Sequence, residues 1–338
     1  MNSLERVLAT IPGIETDYQP FTMLLSLYGA SLLKTSAKEY YRNPELWFEG
    51  QKAVVDNFDP DILITPFSFP IEAEAFGCEL LFFDKYAPNS KKPVITDLSQ
   101  IKDLTTPDFE KSLPIRFFLK STTLLANQYG KTKAIASPIH APSDIPALLM
   151  GMEMWIDTLF FHHDKVKEMM EKTTEQFVKL GNELIERGAT FLVVPVNFTT
   201  AMIITDRIFE MLLPYLEKAF SQIKGPIVIH NGGSKLLPFI DRFAKLPNVI
   251  AFVLEPSESF NEARKIIGDN MVLMGNFDGP GFANLTQEKA IEKTLKILND
   301  RKNDKHFIFA TSNADIPYET PVETIKAVVH TIRDFKKY

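Results

Sequence analysis

The feature that most constrains this chain is a rhythm. Beyond residue 130, short and continuously apolar runs alternate with amphipathic helical patterns. The runs are KAIASP (133–138), TFLVVPV (190–196), PIVIH (226–230), NVIAFVLE (248–255), NMVLMGN (270–276) and HFIFATS (306–312). A strand that alternates apolar and polar residues has one wet face, whereas a strand apolar throughout is covered on both. Continuous strands separated by helices therefore specify a parallel sheet with helices packed over it. The intervening patterns include DKVKEMMEKTTEQFVKLGNELIERG (164–188), SESFNEARKIIGD (257–269) and TQEKAIEKTLKILND (286–300). The last opens on Thr286 with an acidic first turn, a helix-start signal.

Two earlier runs, DILITPFS (61–68) and DYQPFTML (17–24), bring the strand count to eight. Eight strand–helix units in 338 residues favour an α/β fold of the closed (β/α)8 TIM barrel type over an open sheet, occupying 1–338 as a single domain. The polar segment 84–130, containing SKKPVITDLSQIKDLTTPDFEKS, reads as a loop-rich insertion over one rim. GNFDGPGFANL (275–285) lacks the spacing of a phosphate-cradling glycine loop.

Composition narrows the function classes. A net charge of -6 with no basic stripe makes nucleic acid and anionic membrane surfaces poor partners. Cys78 is the one cysteine, which excludes an internal disulfide and any multi-cysteine metal site. No stretch approaches the roughly 18 apolar residues of a spanning helix, and no apolar run follows a basic start. The cytoplasm is the expected address.

Barrel enzymes place their chemistry at the carboxyl ends of the strands. The polar residues there are Ser68, His140, Asn197, His230, Asn231, Glu255, Asn276, Asp278, Asn313 and Asp315. They come from seven strand ends far apart in sequence and would converge on one mouth, although strand-end turns also attract Asn and Asp for backbone bonding. His230, with an ordinary imidazole pKa near 6.5, is the acid–base candidate, together with Asp315. The amides and the remaining residues would orient a small substrate. Phe67, Phe69 and Phe198 stand where aromatic walls could hold a flat or apolar ligand. Glu72 and Glu74 read as solvated surface first, with a place facing the mouth as the alternative for one of them. His162 and His163 read as structural, with Asp164 capping the next helix. His306 and His330 lie off the mouth. The apolar segment 146–163 suggests a self-association surface, hence a homodimer.

Three segments carry a family resemblance: VIHNGGSKLLPFI (228–240), VLEPSESFNEARKIIGDNMVLMGNFDG (253–279) and FATSNADIPYETPVETIKAVV (309–329). Together with ERVLATIPGIETDYQP, YYRNPELWFEGQKAVVDNFDPDILI and IEAEAFGCEL in the first 80 residues, they resemble the uroporphyrinogen decarboxylase superfamily, and most of all its corrinoid-linked methyltransferase branch. That resemblance implies methyl transfer involving cobalamin carried by a corrinoid-binding partner protein. Family decarboxylases grip substrate carboxylates with an arginine cluster and hold pyrrole nitrogens with an Asp after Phe-Ser. Here only Arg6 and Arg42 occur in the first 50 residues, and the strand end reads Phe67-Ser68-Phe69. Thiol-methylating relatives hold zinc with one His and two Cys. His230 is retained, but the cysteine positions are Gly232 and Ala314, so this zinc is not expected; the alternative is an oxygen-rich metal site rebuilt from His230, Glu255, Asp278 or Asp315. The expected function is therefore methyl transfer between a corrinoid and a small non-thiol substrate. The alternatives are tetrapyrrole decarboxylation and a non-catalytic accessory barrel.

Overall fold

The computed structural model describes residues 1–197 and 206–335, apart from the side chain of Phe69. Phe198, one of the three aromatic-wall positions, lies outside the described residues, and so does the Phe69 side chain.

Among the described residues ten strands follow in chain order: β1 Phe21–Thr22, β2 Ile62–Ile64, β3 Glu79–Leu81, β4 Asn89–Lys92, β5 Ala134–Pro138, β6 Phe191–Pro195, β7 Ile227–His230, β8 Val249–Val253, β9 Val272–Asp278 and β10 Phe307–Ser312. All but β3 and β4 form one eight-stranded sheet in the order β1-β10-β9-β8-β7-β6-β5-β2. Every pair in it is parallel. The last gap, between β1 and β2, is closed by three bonds. Asp61 N–H donates to Phe21 O at 3.0 Å, Phe21 N–H to Asp61 Oδ2 at 3.0 Å and Thr22 Oγ1 to Ile62 O at 2.9 Å. The fold is a (β/α)8 barrel.

Period-two alternation sorts each strand into two buried layers. Ile62, Ile64, Ala134, Ala136, Phe191, Val193, Val228, Val253, Val272, Met274, Ile308 and Ala310 fill the lumen. Leu192, Val194, Ile227, Ile229, Phe252, Leu273, Phe307 and Phe309 pack outward in the main core cluster. Both layers are dry, which is why the strands read as unbroken apolar runs.

The first helix, Ser3–Thr10, carries Val7 into the lumen cluster and so lies over the amino-terminal end of the barrel. There Arg6 donates to Asp17 Oδ1 at 2.6 Å and Asp61 Oδ1 at 2.5 Å, with its guanidinium 3.7 Å over the Tyr18 ring. His306 sits at the same end, its Nδ1 3.1 Å from Ile11 O. Residues 84–112 are mostly irregular, with β4 paired antiparallel to β3 and a 3-10 turn at Leu98–Asp103. The last part of the expected insertion is the regular helix Leu113–Tyr129, started by a Ser112 cap and Pro114 in its first turn. As expected, Thr286 caps the helix Gln287–Arg301, accepting from Lys289 N–H. Asp164 is not a cap: the helix His163–Glu186 starts one residue earlier and places it in the first turn. Among the described residues, no helix is long and apolar enough to cross a membrane.

Candidate active site

Strand β7 ends on His230, whose backbone pairs with Pro195 and Val253. A tight turn follows, with Gly232 at φ +58° and Gly233 at φ +90°. This left-handed geometry is what glycine tolerates best. The turn folds the Gly232 amide back so that its N–H donates to His230 Nδ1 at 3.0 Å. A backbone N–H can bond only an unprotonated ring nitrogen, so the imidazole proton resides on Nε2. The ring is 2% exposed, and burial pulls its pKa down to about 4. His230 is thus a neutral hydrogen-bond donor at neutral pH, in place of the near-6.5 acid–base group expected from its ordinary value. Its Nε2 meets no partner among the described residues. Phe67 packs edge-on against the ring, centroids 6.0 Å apart.

Around this ring the mouth is held by amides. Asn231 Nδ2 donates to Asn313 Oδ1 at 2.6 Å, joining the ends of β7 and β10. Asn313 adopts φ +70°, a conformation Asn accepts more readily than most side chains. Asn197 lies behind Gly232, and a Cβ at 232 would come within 2.5 Å of Asn197 Oδ1. Asp144, buried, accepts from Asn197 N–H at 2.6 Å. Asp315 is half-buried on the same rim and accepts from Leu27 N–H at 3.1 Å. Burial pushes its carboxyl up to about 7, against the opposing pull of the Leu27 and Ser26 amides.

The remaining predicted residues are placed elsewhere or engaged differently. Ser68 is buried before the helix Phe69–Ala75, with a hydroxyl that bonds nothing among the described residues. His140 is buried with its N–H and Nδ1 both on Glu72 Oε1, at 3.0 and 3.2 Å. Glu72 is therefore a buried partner of an imidazole and not the solvated residue expected; Glu74 is the surface one, paired with Arg42. Glu255 folds onto its own loop, accepting from Ser257 N–H at 2.7 Å. Asn276 Nδ2 lies 3.0–3.3 Å from the carbonyls of Glu255, Pro256 and Glu258, which fastens the same loop. With Asp278 it lines a groove that also includes Lys293 and Lys296 of the outer helix. Glu258, absent from the expected set, is buried and accepts from Leu237 N–H at 2.7 Å and Glu255 N–H at 3.0 Å. Its signal in the sequence was weak, since a Glu in a Ser-Glu-Ser turn reads as solvent-facing.

Zinc of the thiol-activating kind does not fit these residues. Of the two ring nitrogens of His230, one is occupied by the Gly232 amide and the other carries the proton. A thiolate at 232 would need Asn197 to swing aside. Among the described residues, no three His, Cys, Asp or Glu side chains are grouped to hold a metal ion. Cys78 is buried core, 3.5 Å from Leu148 O.

Residues 2–335 match the family model for uroporphyrinogen decarboxylase, and the chain belongs to that family. Its relatives there are enzymes of two kinds. The chain is 25% identical to a uroporphyrinogen decarboxylase of Salinibacter ruber, over 81% of this chain and 80% of that one. It is 21% identical to the methylcobamide:CoM methyltransferase MtaA of Methanosarcina barkeri, over 96% and 95%. Among solved structures, a methyltransferase from Methanosarcina mazei superposes with a TM-score of 0.87 at 18% identity, covering 99% of this chain and 98% of that one. A B12-independent methionine synthase from Shewanella reaches 0.53 at 13% identity, covering 86% and 89%. At these identities the structural likeness speaks for the fold.

Proposed function

We propose that this protein is a methyltransferase that moves a methyl group between a corrinoid, carried by a partner protein, and a small substrate whose methyl is bound to oxygen or nitrogen. The near full-length likeness to a methylcobamide methyltransferase supports the reaction class. The observation that carries the choice of substrate is the mouth itself, where a neutral imidazole offers Nε2–H and both cysteine positions of the zinc-dependent relatives are empty of sulfur.

In the demethylating direction, the bond between methyl carbon and heteroatom breaks and its electron pair stays on the heteroatom. The methyl bonds to cobalt(I) through the metal's own electron pair, and the heteroatom takes up one proton. The corrinoid supplies the methyl-accepting centre as a second substrate. The residues of this chain do the rest: Nε2–H of His230 steadies the charge growing on the leaving atom. Asp315, with a pKa of about 7, gives up the proton and regains it from water. Decarboxylation of a tetracarboxylate finds little support, because Arg6 is locked to Asp17 and Asp61, and Arg42 to Glu74.

The test is spectral. Purified protein, cob(I)alamin and a panel of small methyl ethers and methylamines should convert the cob(I)alamin absorption to that of methylcobalamin. The variant His230→Ala should lose about 100-fold in rate. Unchanged turnover in that variant sinks the role of His230, and conversion of a porphyrinogen without any corrinoid chemistry sinks the reading as a whole.

A further inference from the structure

Beneath His230, inside the barrel, lies a cavity of about 30 Å³. Its walls include Ile64, Phe67, Val193, Val253, Met274 and Ala310, and are almost entirely carbon. The polar lining is His230 with two hydroxyls already engaged, Thr22 Oγ1 on Ile62 O and Thr311 Oγ1 on the Leu24 amide. A buried ring, 2% exposed, thus lines this space with a donor that nothing among the described residues accepts. An unpaired buried donor costs about 1–3 kcal/mol, so folds rarely retain one without a use. Room for one water requires about 10–15 Å³, but a buried water commonly makes about three hydrogen bonds, and this space provides one uncommitted group.

We propose, resting on the methyl-transfer reading above, that the top of the lumen is the subsite for the non-transferred end of the substrate, and that it selects a compact, uncharged group presenting one oxygen acceptor to His230 Nε2–H. In-line displacement places the departing methyl toward the mouth and the corrinoid, and the rest of the substrate on the opposite side, toward the barrel axis. A protonated methylamine has no lone pair to accept the N–H. A carboxylate would bury its charge where no cation lines the wall among the described residues. A thioether sulfur is a weak acceptor. Small neutral methyl ethers satisfy all three conditions.

The 15N-labelled full chain, free of corrinoid, tests this through the imidazole Nε2–H resonance of His230. Dimethyl ether should move that resonance saturably, while tetramethylammonium and acetate leave it in place. Ala310→Val, which thickens the cavity wall, should weaken the ether effect at least tenfold; the wild-type selectivity stands as the test if that variant fails to fold. No ether effect, or an equal effect from tetramethylammonium, overturns the subsite. The two readings fail separately. Methyl transfer from an ether with the His230 resonance unmoved removes the subsite and leaves the reaction class. A selective resonance shift without any transfer to cob(I)alamin retains the subsite and removes the reaction class.

Discussion

At the amino-terminal end of the barrel Arg6 is 4% exposed and meets three acceptors, Asp17, Asp61 and the Met1 carbonyl. At the carboxyl-terminal end His230 is 2% exposed and its Nε2 meets none among the described residues. The contrast extends beyond these two side chains. The lower end also pairs Lys133 with Asp59 at 2.5 Å, Arg333 with Asp59 at 2.9 Å and Arg264 with Asp304 at 3.0 Å. Close to His230 the upper end holds the Asn231–Asn313 amide pair, a Ser68 hydroxyl that bonds nothing among the described residues and the Asp315 carboxyl, which accepts from the Leu27 amide. Polar atoms at one end are spent on the fold. At the other, several carboxyls and amides are also spent on the fold, but His230 Nε2 and the Ser68 hydroxyl are left without partners among the described residues, at a cost in stability.

The sharpest way to break this comparison is to open the lower network. Arg6→Met keeps the side-chain volume but leaves Asp61, fully buried, without its cation. Losing one member of a buried pair costs about 3–5 kcal/mol, and urea unfolding should show a loss of that size. The loss should shrink in acid, where Asp61 can protonate. Any methyl transfer by the folded fraction should be unchanged. A loss below about 1 kcal/mol would mean that the lower end is no more structural than the mouth.

The complementary change at the upper end is His230→Leu. It deletes the unpaired Nε2–H but also the acceptor of the Gly232 amide, so the two effects on stability nearly offset. Unfolding free energy should stay within about 1 kcal/mol of the parent, while methyl transfer falls by about 100-fold. A large destabilisation with activity retained in the folded fraction would make this imidazole a core residue and erase the distinction between the ends.

A smaller effect is expected at Gly232. An alanine there must adopt φ +58° and push Asn197 Oδ1 from its place. The left-handed backbone alone costs about 1–2 kcal/mol. Gly232→Ala should therefore lower stability by about that amount, which urea unfolding would detect. An unaffected variant would show that the mouth tolerates a side chain at the position where the family resemblance implies a metal-binding cysteine.

Why the barrel was legible and much of its mouth was not comes down to range. Each strand announces itself in five to eight consecutive residues, because both of its faces are dry. Even so, the early strands came out short, with Phe21–Thr22 confined by Pro20 and Ile62–Ile64 by Pro66, since proline cannot donate to a ladder. The mouth positions follow from the strand ends, which is how His230, Asn231 and Asn313 could be named together. Their chemical states depend on partners that no local pattern reveals. Glu72 meets His140 from 68 residues away. The proton position on His230 depends on a glycine turn that aims one amide backward. Asn276 reads as a substrate ligand until the loop at 255–258 is seen resting on it.

The mildest test concerns Asp315 and works through pH. Its folded pKa, about 7, lies above the ordinary aspartate value of about 3.9, so the ionised form is disfavoured by the fold. Below about pH 4 the group is protonated in both folded and unfolded chains and costs nothing. Between about pH 4 and 7 the unfolded chain ionises while the folded chain still holds the proton, so stability declines across that window and levels off above 7. Asp315→Asn removes the charge while keeping an acceptor for the Leu27 amide. The variant should gain about 1 kcal/mol at pH 8 and nothing at pH 4, the figure discounted for the partial exposure of the side chain. Under the proposed chemistry the parent's demethylation rate should decline above pH 7, whereas the variant, lacking the titrating proton donor, should be slower at pH 6 and show no such decline. A variant whose stability difference from the parent is the same at pH 4 and pH 8 would show that the carboxyl is solvated like any surface aspartate, and the upper end would then keep its imidazole but lose its acid.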